Sequence, residues 1–364
     1  MAESVFWVAH RDPCSPQAGG AERSIFEICT VLAQRGWAVK LFATGFHGAS
    51  RSAKIGNIQV VRLQNWLALH VAMPVLFSKL RNGDVFVEDL AHVVPFAGEK
   101  FTKSPGVVFF RHLHRRTLGG QVDPPLKALL STVEATYPLI YKRSLIVAPS
   151  DGAYKDLRAL GFSHERIARV QYGVDEKLFK PGEISPNPSL IHFSGLRRYK
   201  RPEHALLVLR ILRDRGCSAT LRVVGNGPEL PSLVRLCSEL GLEKCVSFCG
   251  RVSNEELALF VSQSWVHVQC SVAEGWGLTA SEAASAGVPT VAYSVPGLVE
   301  SVTSGVTGIL VESGNVYAMA DAIEKIIRTR KEWTGRCRDI GSSHSWQTVG
   351  DQWDQVLRGL ASRR

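Results

Sequence analysis

The chain has 364 residues, of which 45% are hydrophobic and 21% charged, and its formal net charge is +10. This length predicts two domains, and this composition excludes a disordered, collagen-like or coiled-coil protein. The longest apolar run, Trp66 to Phe77, is interrupted by His70 and Pro74 and is too short to cross a bilayer.

The first half of the chain alternates short apolar strands with segments of helical length. A strand over Val5–Ala9 is followed by a loop and by a helix over Ala21–Gln34, in which apolar residues repeat with a helical period. Such alternation indicates a parallel sheet with crossover helices. Further strands are predicted at Trp37–Ala43, Gln59–Leu63, Val85–Val87, Gly106–Phe110 and Leu145–Ala148.

A polar, proline-rich stretch interrupts the alternation between Lys180 and Pro188 and predicts a linker. We therefore expect a first domain over residues 1–175, a linker over 176–188 and a second domain over 189–345. Residues 346–364 contain a last helix, roughly Trp346 to Leu360. The pattern leaves open whether this helix packs back on the first domain.

The second half resumes the same alternation, so the predicted fold class is α/β. Two Rossmann-like domains with parallel sheets are expected to face an interdomain cleft, where such folds bind ligands. The predicted strands are Leu190–Phe193, Ala219–Val224, Val246–Cys249, Val266–Gln269, Thr290–Tyr293 and Gly308–Val311, and the predicted helices are Pro202–Arg215, Pro228–Leu240, Glu255–Val261 and Thr279–Ala286.

Three glycine-containing turns follow predicted strands and precede predicted helices. They are Gly19-Gly20, Gly225-Asn226-Gly227 and the segment from Glu274 to Thr279. Glycines at a helix N-terminus let backbone N–H groups approach an anion, which the helix dipole also favours. None of the turns has the GxGxxG spacing of a dinucleotide site. For Gly19-Gly20, a tight turn without a ligand is the alternative.

Charged side chains accompany these turns. Glu274 and Glu282 are eight residues apart, and both can accept hydrogen bonds from sugar or ribose hydroxyls at a ligand docked there. Stabilisation of the helix dipole alone is the other interpretation of Glu282. Arg197, Arg198 and Lys200 follow another strand, where they either neutralise a diphosphate or form a solvated loop.

A basic segment follows the strand Gly106–Phe110 and contains two histidines, His112 and His114. A histidine there can act as a general base, donate a hydrogen bond to a phosphate or sugar, or be structural. The neighbouring cations Arg111, Arg115 and Arg116 are candidates for the side that meets an acceptor.

The positive charge is concentrated in residues 1–180, which contain 23 Lys and Arg against 15 Asp and Glu. This excess favours an anionic partner: a phosphorylated acceptor, a lipid surface or a nucleic acid. No helix-turn-helix or RNP-like pattern is present, so we expect no nucleic acid partner. A charge that only keeps the protein soluble is the alternative.

The N-terminal sequence and the cysteines predict the cellular compartment of the protein. Met1-Ala2-Glu3-Ser4 contains no basic region, so we expect no signal peptide. The eight cysteines form neither a CxxC pair nor a Cys/His cluster with zinc spacing. We expect buried, reduced thiols in a cytoplasmic protein that is either free or attached to the inner face of the membrane.

Taken together, the motifs resemble those of the retaining glycosyltransferases of family 4, which have the GT-B fold. The resemblance covers nearly the whole chain. Its most specific element is the EX7E motif from Glu274 to Glu282, which continues in the family's manner to Val291. The other matching segments are Gly19-Gly-Ala-Glu-Arg23, Gly225-Asn-Gly-Pro228, Val295-Pro-Gly-Leu298, and the junction formed by Gly173-Val-Asp175 with Phe179-Lys-Pro181.

The resemblance implies a role for each matching residue of the EX7E segment. Glu282 is expected to hold the nucleotide ribose, and Glu274 to contact the transferred sugar near the reacting centre. The backbone of Gly277, Leu278 and Thr279 is expected to line the phosphate and sugar site.

The resemblance also assigns residues outside that segment. Gly19 and Gly20 are expected to close over the donor diphosphate, while Gly225 and Asn226 belong to the donor site. Val252 occupies the place where relatives hold the base through the backbone.

Two assignments stay open within the resemblance. Leu196 stands where relatives have the phosphate-binding arginine, so that role falls to Arg197 or Arg198, and only Lys200 aligns. The essential histidine of several relatives is matched best by His114, with His112 as the alternative.

The resemblance implies a retaining hexosyltransferase of the mannose or glucose class that uses a UDP-, GDP- or ADP-sugar. The acceptor is expected to be a hydroxyl of a glycan, or of a lipid-linked or phosphorylated molecule. No cofactor or metal is expected, because Lys and Arg stabilise the leaving diphosphate and no DxD-type loop is present. The alternatives are a GT-B sugar-nucleotide epimerase or hydrolase, and a non-catalytic sugar-nucleotide-binding scaffold on membranes.

Overall fold

The computed structural model describes residues 3–118, 122–341 and 344–362 and divides the chain into two compact units. The first unit comprises residues 3–118, 122–173 and 346–362, and the second comprises residues 174–341 with 344–345. Met1 and Ala2, on which the expectation about a signal peptide partly depends, lie outside the described residues, as do Arg363 and Arg364 of the predicted last segment.

The first unit contains an eight-stranded sheet in the order β3-β4-β2-β1-β5-β6-β7-β8, parallel except for β3. Strand β3 was not predicted because it is short, polar and paired only with β4, across the two-residue turn Gly56-Asn57. The strands are β1 (Ser4–Val8), β2 (Ala38–Thr44), β3 (Ser52–Ile55), β4 (Ile58–Leu63), β5 (Val85–Leu90), β6 (Gly106–Phe110), β7 (Leu145–Ala148) and β8 (Ile167–Arg169).

Six helices belong to this unit. Helix α13 packs closely on α1, where a Cβ on Gly350 would lie 2.3 Å from the Val31 side chain. Its Trp353 is fully buried, with its ring centroid 5.1 Å from that of Trp7 on β1. The helices are α1 (Gly20–Gln34), α2 (Trp66–Phe77), α3 (Pro124–Ala135), α4 (Tyr137–Ile140), α5 (Asp151–Leu160) and α13 (Trp346–Ala361).

The second unit contains a parallel six-stranded sheet in the order β11-β10-β9-β12-β13-β14. Its strands are β9 (Ser189–Phe193), β10 (Thr220–Val224), β11 (Val246–Gly250), β12 (Val266–Gln269), β13 (Thr290–Tyr293) and β14 (Gly308–Val311). Its helices are α6 (Pro202–Asp214), α7 (Leu230–Glu239), α8 (Asn254–Gln263), α9 (Leu278–Ser285), α10 (Leu298–Ser301), α11 (Val316–Arg328) and α12 (Arg330–Gly341). The predicted α/β class, with two parallel sheets, is confirmed.

The predicted linker, residues 176–188, forms no helix or strand, yet it is packed on the second unit. Phe179 is fully buried, and its carbonyl accepts a 2.6 Å hydrogen bond from the Ser285 hydroxyl. The Trp265 indole donates a 2.7 Å hydrogen bond to the Ser185 carbonyl. These contacts hold the segment in place.

Two expectations require correction. Strand β5 extends to Leu90 rather than ending at Val87, because Glu88 and Asp89 are buried in it with partners from distant parts of the chain. All eight cysteines are free, but the prediction that they are buried is wrong for Cys14, which is exposed in the loop after β1, and for three half-buried ones: Cys217, Cys245 and Cys249.

Candidate functional site

In the second unit, the Glu274 carboxylate is the centre of a hydrogen-bonded cluster. Its Oε1 atom accepts hydrogen bonds from Lys200 Nζ at 2.5 Å, Gln269 Nε2 at 2.8 Å and Ser271 Oγ at 2.6 Å. Gln269 and Ser271 are buried, and the Lys200 and Glu274 side chains are 15% and 12% exposed. Three donors on one oxygen fix the orientation of the carboxylate.

The strand order explains how Lys200 reaches Glu274. Strands β9 and β12 are parallel neighbours, so the loops that follow them meet at the same edge of the sheet. The Val272 N–H donates a 2.9 Å hydrogen bond to the Tyr199 carbonyl and ties the two loops together. Burial by itself lowers the pKa of Lys200, but the Glu274 carboxylate outweighs burial and holds that pKa above its ordinary value.

The glycine loop between Glu274 and helix α9 requires its glycines. Gly277 has φ +105°, and a Cβ there would lie 2.5 Å from Ser301 Oγ. Gly297 packs against the loop, since a Cβ on it would lie 2.4 Å from the Glu274 carbonyl oxygen. Leu278 begins α9, so the glycine loop leads directly into a helix N-terminus.

Two hydroxyls beside this helix N-terminus lack partners. Among the residues that the structure describes, Thr279 Oγ1 and Ser301 Oγ are buried atoms without a hydrogen-bond partner. A buried hydroxyl gains free energy from any ligand that completes its hydrogen bonding. The position suits a polar ligand at the start of α9.

The turn Gly225-Asn226-Gly227 has a structural reason for its glycines. A Cβ on Gly225 would lie 1.9 Å from the Ser194 carbonyl oxygen, and one on Gly227 would lie 2.2 Å from that of Leu196. The Gly227 N–H donates a 2.7 Å hydrogen bond to Asn226 Oδ1. The backbone of this turn therefore packs directly against the loop that leads from β9 to Lys200, where only glycine leaves enough space.

The other predicted donor-site residues of the second unit occupy varied positions. Glu282 is half-buried on α9, three residues after Thr279. Val252 is half-buried after β11 and packs against an apolar cluster that includes Phe179 and Val261. Arg197 and Arg198 are exposed in the turn before Lys200.

His192, on β9, is a buried residue of this region that the sequence did not single out. Its Nδ1–H donates to the Val268 carbonyl at 2.9 Å, and its Nε2 lies 3.0 Å from Ser194 Oγ. Burial lowers the pKa of His192 to about 4, and Lys200 acts in the same direction. The imidazole is therefore neutral at physiological pH.

Gln269 and Ser271 were also not predicted. The signal for them was weak but present, because both stand where the apolar strand Val266–Gln269 ends, and ligand-binding polar side chains cluster at the carboxyl ends of parallel strands. Their common partner, Glu274, is visible only in the tertiary structure.

In the first unit, Gly19 is the N-cap of helix α1 and Gly20 is its first residue, one position earlier than predicted, and both are exposed. The Gly19 N–H donates a 2.8 Å hydrogen bond to Glu22 Oε2. The carboxylate of Glu22 thus satisfies an N–H group expected to face an anion. A ligand at Gly19 must displace this contact.

His114 is held by contacts to two other elements. Its Nε2 lies 3.0 Å from the Ala91 carbonyl oxygen, and its Nδ1 lies 3.3 Å from Oε1 of the buried Glu134 on α3. The Ala91 carbonyl can only accept, so Nε2 is the donor of this hydrogen bond, whereas Nδ1 makes none. The half-buried His112 lies beside it, with ring centroids 4.8 Å apart.

The expectation that Arg111 is a cation available to an acceptor is wrong. Arg111 is buried and makes a two-point ion pair with Asp89, with hydrogen bonds of 2.7 and 3.1 Å. Its Nη1 also donates to Ser24 Oγ at 2.8 Å and to the Tyr172 hydroxyl at 2.5 Å. Despite the opposing effect of burial, Asp89 and Tyr172 keep the pKa of Arg111 above its ordinary value.

The other two cations of this basic segment are partly exposed and partly neutralised. Arg115 Nε lies 3.4 Å from Glu134 Oε2, and Arg116 forms an ion pair with Asp156. The segment therefore offers less positive charge than its sequence suggests.

Two family models match consecutive parts of this chain. The one described as Glycosyltransferase Family 4 matches residues 18–178, and the one described as Glycosyl transferases group 1 matches residues 174–341. A D-inositol 3-phosphate glycosyltransferase of Mycobacterium tuberculosis is 31% identical in an alignment of 256 residues that covers 64% of this chain and 51% of that protein. The chain spans about half the length of the curated relatives that it matches.

Solved structures agree over the whole chain. A sucrose-phosphate synthase of Thermosynechococcus elongatus has a TM-score of 0.86 at 20% identity and covers 100% of both chains. Anabaena HepE, solved in complex with UDP and glucose, has a TM-score of 0.75 at 19% identity and covers 98% of this chain and 100% of that one. At these identities the likeness shows the fold alone, and it confirms the predicted GT-B fold.

Proposed function

This chain belongs to the family 4 glycosyltransferases of group 1, and from that premise we propose that it transfers a hexose from a nucleoside-diphosphate sugar to a hydroxyl with retention of configuration. The proposed transferred sugar is of the mannose or glucose type. The proposed acceptor is a glycan, or a lipid-linked or phosphorylated molecule. The name of the mycobacterial relative supports a phosphorylated acceptor.

The observation that carries this proposal is the orientation of Glu274. Because Lys200, Gln269 and Ser271 all donate to Oε1, the carboxylate presents its other oxygen, Oε2, to the hydroxyls of the transferred sugar. Lys200, which is bonded to Glu274, can also contact the diphosphate. Arg197 or Arg198 is the proposed second cation at the diphosphate. We assign no covalent nucleophile to Glu274.

The remaining proposed donor contacts lie on helix α9 and at its start. Glu282 holds the ribose, and the start of α9 at Gly277, Leu278 and Thr279 receives the phosphates and sugar. The unpartnered Thr279 and Ser301 hydroxyls support a polar ligand there. Negative charge develops on the leaving diphosphate, and the Lys200 ammonium with the α9 N-terminus stabilises it.

Other residues complete the proposed site. Gly225 and Asn226 support the donor loop, and the Val252 backbone holds the base. In the first unit, the proposed diphosphate contacts are Gly19 and Gly20.

For the histidine role we keep His114 with His112 as the alternative. The contact of His114 Nε2 to the Ala91 carbonyl suits a hydrogen-bond donor better than a base.

A ligand-induced shift in Tm tests donor binding. UDP, GDP, ADP and their common sugar conjugates are compared, with UDP first because HepE was solved with it. Free ligand at about 100 times its Kd adds roughly 2.7 kcal/mol to the free energy of unfolding. We expect a shift with one base, lost in Glu282→Ala and kept in Glu255→Ala, an exposed helical glutamate of the same unit.

Other outcomes decide between the alternatives. A folded protein whose Tm no nucleotide changes favours the non-catalytic scaffold. Release of free nucleoside diphosphate at turnover rates without an acceptor favours the epimerase or hydrolase. Donor binding, followed by transfer to an added acceptor with the product in the α configuration of an α-linked donor, supports the proposal.

A further inference from the structure

Helix α2 of the first unit is apolar on two opposite faces. Leu69, Met73 and Phe77 repeat at every fourth position and are buried against the sheet. Leu67, Val71 and Val75 repeat with the same spacing two residues earlier, about 200° around the helix axis. A helix that is apolar all round is normally buried on all sides.

The outer face of α2 is exposed. Leu67 is 56% exposed, Val71 69% and Val75 58%, and Trp66 at the start of the helix is 52% exposed. The other seven tryptophans of the chain are buried or half-buried. Leu67, Val71 and Val75 share one helix face, and Trp66 is exposed beside Leu67 at the first residue of the helix. Exposed apolar side chains grouped in this way mark an interaction site. We call these four residues the α2 patch.

The acidic residues of the sequence on either side of α2 are buried, whereas most of the cations there are exposed. Between Glu27 and Asp123 the chain contains four acidic residues, Asp84, Glu88, Asp89 and Glu99, and all four are buried. Exposed cations of the same stretch include Arg51, Lys54, Lys79, Arg81, Lys100 and Lys103.

Several of these cations lie at the C-terminal end of α2. Lys79 and Arg81 follow the helix directly. Lys103 lines a shallow hollow together with Leu80 and Asn82. Lys100 ends a short turn that begins at Gly98, where a Cβ would lie 2.2 Å from Phe77 of α2. The patch therefore has a positively charged border.

We propose that the α2 patch and its basic border dock the protein on an anionic lipid bilayer. Apolar side chains of a surface helix enter the boundary between headgroups and acyl chains, tryptophan prefers that depth, and lysine and arginine attract anionic headgroups. Helix α2 has 12 residues, or about 18 Å, so it lies along the surface. No helix of the described residues is long and apolar enough to span a membrane.

A second copy of the chain fits the patch less well. In a two-fold dimer the patch would face itself, and its positively charged border would meet an identical positive border. The basic segment at residues 111–116 is a poorer membrane contact, because Arg111 is buried and Arg115 and Arg116 have acidic partners. It goes beyond the proposed glycosyl transfer and does not depend on it.

Vesicle flotation tests the proposal with the full chain. Vesicles of phosphatidylcholine alone are compared with vesicles containing about one third phosphatidylglycerol. We expect binding to the anionic vesicles that weakens with salt and falls at least about tenfold in the Leu67→Ser/Val71→Ser variant. The matched control, Val234→Ser/Leu259→Ser, changes two apolar residues of the second unit with 49% and 52% exposure and should bind like the unchanged chain.

Tryptophan fluorescence gives a second readout. A brominated phosphatidylcholine in the anionic vesicles should quench the emission of Trp66, and Trp66→Phe should remove most of that quenching. Circular dichroism, together with the Tm shift for whichever nucleotide binds, shows that the variants are folded and separates this test from that of the donor site.

Three results would overturn the proposal. They are no binding of the unchanged chain to anionic vesicles, equal binding of the α2 variant, and equal binding to neutral and anionic vesicles. A concentration-dependent dimer that the α2 variant loses, without vesicle binding, would assign the patch to a second copy.

Discussion

The Nζ atom of Lys200 lies 2.5 Å from Oε1 of Glu274, although 74 residues separate the two in the sequence. The pair joins the loop after β9 to the loop after β12, and both side chains are largely removed from water. It therefore couples the stability of the second unit to the geometry of the proposed donor site.

Removing the lysine should destabilise the second unit. Lys200→Met leaves the Glu274 carboxylate without a cation and should lower the free energy of unfolding by about 1.5–3 kcal/mol. Adding Glu274→Gln should recover part of that loss, because the remaining group is neutral. Urea denaturation of the two single variants and the double variant measures the coupling, with the exposed Lys244→Met as control. Additive effects would contradict a direct interaction.

Substitutions of Gln269 and Ser271 should weaken binding of the sugar part of the donor and leave binding of the nucleotide part unchanged. In Gln269→Leu and Ser271→Ala the Glu274 carboxylate loses a donor to Oε1 and with it part of its fixed orientation. We expect the affinity for the nucleoside-diphosphate sugar to fall roughly tenfold while that for the free nucleotide changes little. Isothermal titration of both ligands measures the difference, and Ser247→Ala, exposed on β11, should leave both unchanged. Equal losses for the two ligands would indicate a general effect on folding.

The neutral, buried His192 should make the second unit less stable in acid. The unfolded imidazole takes up a proton as the pH falls through 6.5, whereas burial delays protonation of the folded one to about pH 4. The resulting loss of stability between pH 7 and 4 amounts to at most about 3 kcal/mol.

A substituted histidine isolates this contribution. His192→Asn does not titrate in this range, so its urea midpoint should change less between pH 7 and 5 than that of the unchanged chain. The comparison must be made between the two proteins, because Glu88 acts in the opposite direction. Burial raises the pKa of Glu88 to about 7, so its contribution to stability is lost as the pH rises through 7. Parallel pH profiles would show that His192 is already exposed to solvent.

Arg111 should act on the stability of the first unit. Arg111→Met leaves Asp89 charged and buried, and should cost about 3–5 kcal/mol of unfolding free energy. The variant Asp89→Asn/Arg111→Met should be more stable than the single substitution. Arg116→Met, at a side chain 40% exposed, should cost less than about 1 kcal/mol. Chemical denaturation followed by circular dichroism gives all three values, and equal losses at Arg111 and Arg116 would refute the difference.

The sequence alone was sufficient for the regular elements and the family. The predicted strands Gly106–Phe110, Leu145–Ala148, Val266–Gln269, Thr290–Tyr293 and Gly308–Val311 have the same bounds in the structure. Alternation of short apolar strands with helices is a local signal, because burial requires each element to carry its own apolar pattern. The EX7E motif is also local, and the group 1 family model covers the part of the chain that contains it.

The predicted elements were wrong where a residue's surroundings are formed by distant parts of the chain. The apolar run Trp66–Phe77 has no helical period, since both of its faces are apolar, so no helix was predicted there. Val87 seemed to end β5 because Glu88 and Asp89 follow it, yet Tyr141 and Arg111 supply their partners inside the fold.

Which charged groups face solvent and which face each other was decided by the tertiary structure. Arg111 and Arg116 belong to one basic segment, but the first is enclosed by Asp89, Ser24 and Tyr172 and the second is half-exposed. Glu274 was recognised from its motif, whereas the donors that orient it come from two other segments. A periodic pattern is formed by residues that are close together in the sequence, so it can be recognised from the sequence alone. The partner of a buried charge is a residue that only folding brings near it.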